Sequence, residues 1–137
     1  MGLYLCAFDG AEEIDGVEVG AYADFNFFRD AVVAAVENGQ RGSQCPVLVE
    51  HHDSDGEWSS DESLRLIVEL DLIGKALREL PPVEFNSAWK KKVATALGLK
   101  PRNLLDCFFD VDGEPLVDRL RGLAEKSVQR GAPILFQ

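Results

Sequence analysis

The chain has 137 residues, 46% of them hydrophobic and 28% charged, and a formal net charge of −10 at pH 7. This length is typical of one domain and sufficient for a hydrophobic core without disulfides or metals, so we expect a single domain spanning residues 1–137. The acidic excess argues against nucleic acids and anionic membranes as partners, because both would repel the protein.

The acidic side chains are unevenly distributed along the chain. Residues 1–80 contain 17 acidic and 5 basic side chains, whereas residues 81–137 contain 7 and 9. This asymmetry is expected of a protein with one acidic face that attracts a basic partner. Two other interpretations remain open: the charge serves solubility alone, or folding distributes it over several faces.

The first quarter of the chain predicts two strands and a helix. Leu3–Phe8 is a short apolar run typical of a buried strand, and Val17–Val19 alternates as a second strand would. We expect these strands to form a hairpin with a long acidic loop. Asp24 is placed to cap the N-terminus of a helix that runs to about Asn38, where Gly39 ends it.

The middle of the chain predicts a third strand and a long helix. Pro46 precedes a β-branched run, Val47–Glu50, that we interpret as a strand. Ser59 and Glu62 have the spacing of a capping box and mark the start of the helix. Its apolar stripe consists of Leu66, Leu70, Ile73, Leu77 and Leu80. Ile67 widens this stripe. Leu64, Val68 and Leu72 leave little fully polar surface, which predicts burial over more than half of the helix circumference.

The last third predicts two more helices and a strand. A helix over Ser87–Leu97 directs Trp89, Val93, Ala96 and Leu97 inward and Lys90, Lys91 and Lys92 outward. Pro115 begins a helix that Gly131 ends. We expect Pro133–Phe136 to pair with Leu3–Phe8. The fold class is therefore α+β: a small, mainly antiparallel sheet that includes the N- and C-terminal strands, packed against about four helices.

The three cysteines, Cys6, Cys45 and Cys107, form no Cys-x-x-Cys pair. Cys6 and Cys107 lie in apolar runs, which predicts small buried side chains. The N-terminal segment has no basic region followed by a long apolar stretch, so we do not interpret it as a signal peptide. No apolar run approaches the roughly 20 residues of a membrane span. We expect a cytoplasmic protein.

An Asp-x-Asp-Gly-Glu motif occurs twice, at residues 53–57 and 110–114, each time before a predicted helix. The favoured interpretation is shared turn chemistry, in which aspartate bonds nearby backbone amides and glycine adopts positive φ. His51 and His52 beside the first copy suggest a metal site, but adjacent residues at a strand end point to opposite faces. We predict no metal and no cofactor. A module that binds a small ligand or a divalent ion through the two turns remains the alternative.

The sequence contains no nucleophile elbow, phosphate loop, zinc helix or dinucleotide motif to accompany its paired carboxylates, so we predict that it is not an enzyme. A partner-binding surface is the better interpretation of the acidic segments. We predict that two acidic patches bind the partner. The first consists of Asp53, Asp55, Glu57 and Trp58, and the second consists of Asp9, Glu12, Glu13 and Asp15. Trp58 is either an exposed anchor of that surface or a core residue under the helix.

Several segments resemble the immunity protein 70 family of bacterial polymorphic toxin systems. They are residues 2–9, 16–29, 52–58, 80–86, 105–116 and 133–137, and together they cover nearly the whole chain. The resemblance implies a non-enzymatic inhibitor that binds a cognate toxin domain in the producing cell; it implies no residue-level mechanism. Many such toxins are nucleases, whose basic substrate channel an acidic inhibitor is suited to occupy.

Overall fold

The computed structural model describes residues 2–52, 55–85 and 87–137. Four strands form one antiparallel sheet in the order β2-β1-β4-β3. They are β1 (Gly2–Asp9), β2 (Glu12–Ala21), β3 (Glu57–Trp58) and β4 (Ile134–Phe136). The predicted pairing of the C-terminal strand with the N-terminal strand is confirmed, with Cys6 opposite Leu135.

Over the same described residues, five helices and a short 3₁₀ turn at Leu105–Cys107 accompany the sheet. The helices are α1 (Tyr22–Ala35), α2 (Pro46–Glu50), α3 (Ser60–Arg78), α4 (Ala88–Leu97) and α5 (Leu116–Arg130). The α+β class is therefore confirmed. Helix α5 follows the prediction closely, because Pro115 precedes it and Gly131, at φ +60°, takes the left-handed conformation that ends it.

The hairpin of β1 and β2 has a tighter turn than the sequence predicts. β2 begins at Glu12 rather than Val17, and Asp9 pairs directly with Glu12. Gly10 adopts φ +66° in the turn between them. The acidic residues that we expected in a loop extend the strand instead, because alternate side chains of a strand point to opposite faces and charged ones can reach solvent or a cation.

One face of the sheet packs against the helices. Leu3, Leu5 and Ala7 of β1 alternate into the core and are almost completely inaccessible to solvent. They join a cluster that includes Trp58 of β3 and Phe136 of β4. Tyr4, Cys6, Phe8 and Leu135 lie outside this cluster, since the alternation directs them to the opposite face.

The segment Pro46–Glu50 is a helix, so the predicted strand at Val47–Glu50 is wrong. The Glu69 carboxylate of α3 accepts hydrogen bonds from the backbone N–H groups of Val47 and Leu48, both at 3.0 Å. These donors have no partner within a short helix, and an acceptor supplied by α3 satisfies them. A contact across 22 residues thus outweighs the local preference of a β-branched run for strand.

Helix α1 begins earlier than predicted, and Asp24 is not its N-cap. Asp24 lies in the first turn, where its Oδ2 accepts a hydrogen bond from the Ala21 backbone N–H at 3.1 Å. The same oxygen accepts one from Trp89 Nε1 at 2.7 Å. Asp24 therefore connects the start of α1 to α4. The residues around Asp24 in the sequence do not predict this contact, because Trp89 is 65 residues away.

Helix α3 begins with the predicted capping box: the Glu62 backbone N–H donates to Ser59 Oγ, and the Glu62 side chain accepts from the Ser59 N–H. Four residues of its predicted stripe are buried, namely Leu66, Leu70, Ile73 and Leu77. The expectation of burial over more than half of the circumference is wrong. Leu64, Val68, Leu72 and Leu80 are exposed, at 56%, 68%, 40% and 36%.

Two side chains of helix α4 face the opposite way from the prediction. Lys90 is only 3% exposed, although the sequence predicts that it faces solvent, whereas Leu97 is 56% exposed. The Lys90 ammonium lies 5.3 Å from the centroid of the Phe108 ring, within the distance of a cation–π contact. Burial lowers the pKa of Lys90, and the nearby Asp24 carboxylate opposes that change.

Candidate protein-interaction surface

The sheet carries negative charge and no positive charge. Its four strands contain no lysine or arginine, so every basic side chain of the protein belongs to a helix or a connection. The strands contain six carboxylates: Asp9, Glu12, Glu13, Asp15, Glu18 and Glu57. The direction of each side chain decides whether its charge reaches a partner.

Carboxylates that point towards the helices are engaged within the molecule. Asp9 Oδ2 lies 3.0 Å from Arg130 Nη1, and Asp15 Oδ2 lies 3.1 Å from Lys126 Nζ. Arg119 adds a third cation, with Nη2 at 3.5 Å from Asp15 Oδ1. Burial alone would raise the pKa of Asp15, but the bonds from Lys126 and the Gly16 N–H, together with the charge of Arg119, hold it below its ordinary value. Helix α5 thus neutralises this side of the hairpin.

Carboxylates that point away from the helices remain accessible. The strand register places Glu13 opposite Phe8, Glu18 opposite Tyr4, and Glu57 opposite Leu135. Opposed residues in an antiparallel ladder share a face, so all three carboxylates lie on the face that the helices leave uncovered. We call this surface the outer face and define it as Tyr4, Cys6, Phe8, Glu13, Glu18, Glu57 and Leu135.

Tyr4 is held in place at the centre of the outer face. Its ring crosses above Gly16, where a Cβ atom would lie 1.8 Å from the Tyr4 hydroxyl oxygen, so this position of the ring depends on glycine at residue 16. The hydroxyl donates a hydrogen bond to Glu13 Oε1. That bond, with burial and the negative charge of Glu13, raises the pKa of Tyr4 to about 12. Tyr4 therefore stays a neutral donor with a defined orientation.

The other apolar residues of the outer face surround Tyr4. Cys6 is 0% exposed, and burial together with the Glu13 charge raises the pKa of its thiol. Phe8 and Leu135 are partly exposed. The surface thus consists of aromatic and aliphatic side chains at its centre and carboxylates around them.

A comparison with known protein families indicates the class of protein and the kind of partner. The chain matches the family model described as Immunity protein 70 over residues 3–136. The chain belongs to the immunity protein 70 family. No curated protein and no solved structure matches it. Membership indicates an immunity protein whose partner is a toxin, and such families are generally non-enzymatic.

The predicted site residues of this immunity protein 70 family member separate into different environments. Glu13 and Glu57 lie on the outer face. Asp55 is exposed just before β3, and Glu12 is exposed but pairs with Asp9, which places it on the side of the hairpin that faces α5. Asp53 lies outside the described residues. As stated above, Asp9 and Asp15 face α5. Tyr4, Phe8 and Leu135 are not among the predicted site residues, because the sequence analysis interprets Leu3–Phe8 as a buried strand. This run is apolar at every position, so no alternation marks the face that the helices leave uncovered.

Trp58 is a core residue, so its predicted role as an exposed anchor is wrong. It is 0% exposed, and its Nε1 donates a hydrogen bond of 2.9 Å to the Val47 carbonyl oxygen of α2. Its ring contacts Phe136 edge to face, with the centroids 4.7 Å apart. Of the two alternatives that the sequence left open, the structure shows the packing under α3.

The second Asp-x-Asp-Gly turn is satisfied by its own backbone. Asp110 Oδ1 accepts hydrogen bonds from the Asp112 and Glu114 N–H groups at 2.9 and 3.0 Å. Its Oδ2 lies 3.5 Å from Arg119 Nε, and the residue is 2% exposed. These contacts use the carboxylate oxygens that an ion would need. In the first copy, Asp53 and Ser54 lie outside the described residues, while Gly56 adopts φ +87°.

The two histidines follow helix α2 rather than a strand. His51 stacks on Phe136 with a centroid distance of 4.0 Å, and its Nε2 lies 3.0 Å from the Glu57 carbonyl oxygen. His52 is exposed. Across the described part of the chain, no three His, Cys, Asp or Glu side chains converge to hold a metal ion.

A cleft of about 660 Å³ lies between the 99–109 connection and α5. Its charged lining includes Arg78, Lys100 and Arg102 beside Asp106 and Asp118. Asp106 Oδ2 accepts hydrogen bonds from the Arg102 N–H and Nε at 3.0 and 3.3 Å, so its carboxylate is already engaged. One of the two lining carboxylates is thus taken, so these residues do not present a pair of free carboxylates for acid–base chemistry.

The length and apolar character of the helices decide whether one of them could cross a membrane. Over residues 2–52, 55–85 and 87–137, no helix combines the length and apolar character that crossing a bilayer requires.

Proposed function

We propose that this protein is the immunity protein of a toxin–immunity pair and that it neutralises its cognate toxin domain by binding through the outer face. The observation that supports this proposal most strongly is the charge of the sheet. Strands that contain six carboxylates and no basic residue leave Glu13, Glu18 and Glu57 on the uncovered face. Family membership supplies the toxin as the kind of partner.

The composition of the outer face suits a protein partner. Specific interfaces have an apolar centre, enriched in aromatic residues, and a polar rim. Tyr4, Phe8 and Leu135 provide such a centre, and Glu13, Glu18 and Glu57 provide the rim. Tyr4 is pre-oriented by its bond to Glu13, so binding does not have to order it.

The partner that fits this surface is basic. A carboxylate rim attracts a cationic partner over several ångströms and raises the association rate, while it repels polyanions. A nuclease domain has this character, because its substrate channel must bind phosphates. An inhibitor seated over the channel would exclude nucleic acid. We place this event in the cytoplasm of the producing cell.

The proposed surface extends beyond the outer face at two ends. Asp53 and Asp55 precede Glu57 in the chain. Glu12 pairs with Asp9 on the other side of the hairpin but is exposed at the turn, directly beside Glu13. Asp9 and Asp15 contribute less, because Arg130, Lys126 and Arg119 offset their charge. Trp58 contributes only indirectly, by supporting β3 from the core.

A charge-reversal experiment tests the proposal with the toxin domain encoded by the neighbouring reading frame. The variant Glu18→Lys/Glu57→Lys reverses two outer-face charges. The variant Asp30→Lys/Glu79→Lys makes the same change in net charge at two exposed positions, one within α1 and one directly after α3, and serves as the matched control. Affinity is measured by calorimetry at low and high salt, and protection by growth of cells that express the toxin.

We expect the outer-face variant to bind at least about 100-fold more weakly and to lose protection, while the control changes affinity by less than about 3-fold. Wild-type affinity should fall with added salt. Full protection by the outer-face variant would reject the surface. Failure of the wild-type protein to bind or protect against that toxin would reject the pairing itself.

A further inference from the structure

Helix α3 carries an exposed apolar stripe that neither the fold nor the proposed toxin surface uses. Leu64, Val68 and Leu72 recur every four residues and are 56%, 68% and 40% exposed. Residues with this spacing share one side of a helix, and the three span about 12 Å along its axis. We call these residues the α3 stripe.

The stripe ends in opposite charges that are symmetric about its centre. Asp61 precedes Val68 by seven residues and Lys75 follows it by seven, and both are exposed. Each lies about 10 Å along the axis from Val68 and projects to nearly the same side as Val68. A second α3 running in the opposite direction would place Lys75 against Asp61 at both ends.

We infer that the α3 stripe is a homodimer interface in which two copies of α3 pack antiparallel about a two-fold axis at Val68. Leu64 of one copy would contact Leu72 of the second, and the two Val68 side chains would meet on the axis. Such an isologous contact closes after two subunits, because each copy presents the same self-complementary surface. Antiparallel helix dipoles add to the attraction.

A second copy fits the stripe better than the toxin does. The outer face is uniformly acidic, whereas the stripe has an acid at one end and a base at the other, as self-complementarity requires. The stripe also lies in the helical layer, away from the outer face of the sheet. A dimer through α3 therefore leaves both outer faces free, and it does not depend on the proposed toxin surface.

The size of the stripe indicates a weak dimer. Three partly exposed apolar side chains with two flanking ion pairs form an interface at or below the small end of the usual range. We expect a dissociation constant on the order of 10–100 μM. The dimer should therefore appear only as the protein concentration rises.

Sedimentation velocity of the full chain from 5 to 500 μM tests the inference. The wild-type protein should shift from 15.1 kDa towards twice that mass. Val68→Glu should remain monomeric over the whole range, and circular dichroism should show an unchanged fold because the residue is exposed. Val83→Glu, at a valine that is 45% exposed in the loop after α3, is the matched control and should dimerise as the wild type does.

A charge exchange distinguishes this specific antiparallel pairing from non-specific hydrophobic association. Lys75→Asp should weaken the dimer at least about 10-fold, because two acids then face each other, and Asp61→Lys/Lys75→Asp should restore it. A wild-type protein that stays monomeric at 500 μM overturns the inference, as does a dimer that survives Val68→Glu. Restored opposite charges that fail to restore the dimer reject the antiparallel register.

Discussion

The connection between α1 and α2 is organised by one buried carboxylate, Glu37, which is 2% exposed. Its Oε1 accepts a hydrogen bond from the Gly42 N–H at 3.1 Å. Its Oε2 accepts two more, from the Gln44 and Cys45 N–H groups at 2.9 and 2.8 Å. Burial opposes ionisation, but these three bonds and the charge of Arg41 hold the pKa of Glu37 below its ordinary value of 4.5.

We predict that Glu37→Gln lowers the free energy of unfolding by about 2 kcal/mol at pH 7. The amide keeps one acceptor oxygen but turns an NH₂ group towards at least one backbone N–H, which then loses its partner. A hydrogen bond to a charged group contributes about 1.5–3 kcal/mol, and an unsatisfied buried donor costs about 1–3 kcal/mol. Glu37→Ala removes all three acceptor contacts, so we expect it to cost about 3 kcal/mol or more.

Urea unfolding at pH 7 and at pH 3 measures the effect. A carboxyl whose pKa is lower in the folded state stabilises the fold above its unfolded pKa, and the stabilisation is lost as the pH falls through the folded value. The difference between the wild type and Glu37→Gln should therefore shrink at pH 3. Glu12→Gln is the control, because it makes the same chemical change at an exposed site and should stay within about 0.5 kcal/mol.

Two results would refute this reasoning. The first is a Glu37→Gln protein that unfolds within about 0.5 kcal/mol of the wild type at pH 7. The second is a difference of equal size at pH 7 and pH 3, since the ionised form would then not be the source of the stability.

Three further predictions concern the sheet. In a Tyr22→Phe background, absorbance titration should show Tyr4 ionising near pH 12, and Glu13→Gln should move this transition towards pH 10. The hydrogen bond from Tyr4 to Glu13 should stabilise the fold fully below about pH 10, and this stabilisation should be lost as the pH rises through 12. Trp58→Phe should lower the free energy of unfolding by about 1–2 kcal/mol, because it leaves a buried carbonyl of α2 without its donor. Deletion of residues 133–137 should leave the chain insoluble or unfolded, since it removes the strand that joins β1 to β3, and an unchanged melting curve would reject that role.

Elements with local determinants are those that the sequence predicts best. The capping box at Ser59 and Glu62 marks the start of α3, and Gly131 marks the end of α5, because each signal acts within a few residues. The C-terminal strand follows from an apolar run that would otherwise be exposed. Periodicity likewise identifies the buried stripe that contains Leu70 and Ile73.

The predictions that are wrong concern segments whose structure depends on contacts with residues far away in the sequence. Val47–Glu50 has strand propensity, but Glu69 captures the N–H groups that a helix leaves free. Lys90 appears solvent-facing in a run of three lysines, but the Phe108 ring and Asp24 accommodate its ammonium inside the protein. Neither partner is adjacent in sequence, so neither outcome is visible from the local pattern.

The exposed residues of α3 illustrate a second limit. Leu64, Val68 and Leu72 widen the apolar pattern of the helix, and periodicity alone predicts their burial. Burial also requires a neighbour, and α5, α2 and α1 cover only the side that contains Leu66 and Leu77. An apolar side that the fold leaves uncovered is therefore a property of the assembled structure, which is why it suggests a contact with a second molecule.

Charge shows the same dependence on structure, and it decides which part of the acidic sequence can attract a partner. Two acidic segments that are far apart in the chain meet in one sheet, but strand alternation divides their carboxylates between two faces. Asp15 turns inward to Lys126 and Arg119, while Glu13, two residues before it, turns outward, because an irregularity in the strand register between them interrupts the alternation. The basic C-terminal third of the chain therefore offsets the acidic N-terminal third on the helical side only. Glu13, Glu18 and Glu57 therefore remain exposed on the outer face, where we propose that they attract a cationic partner.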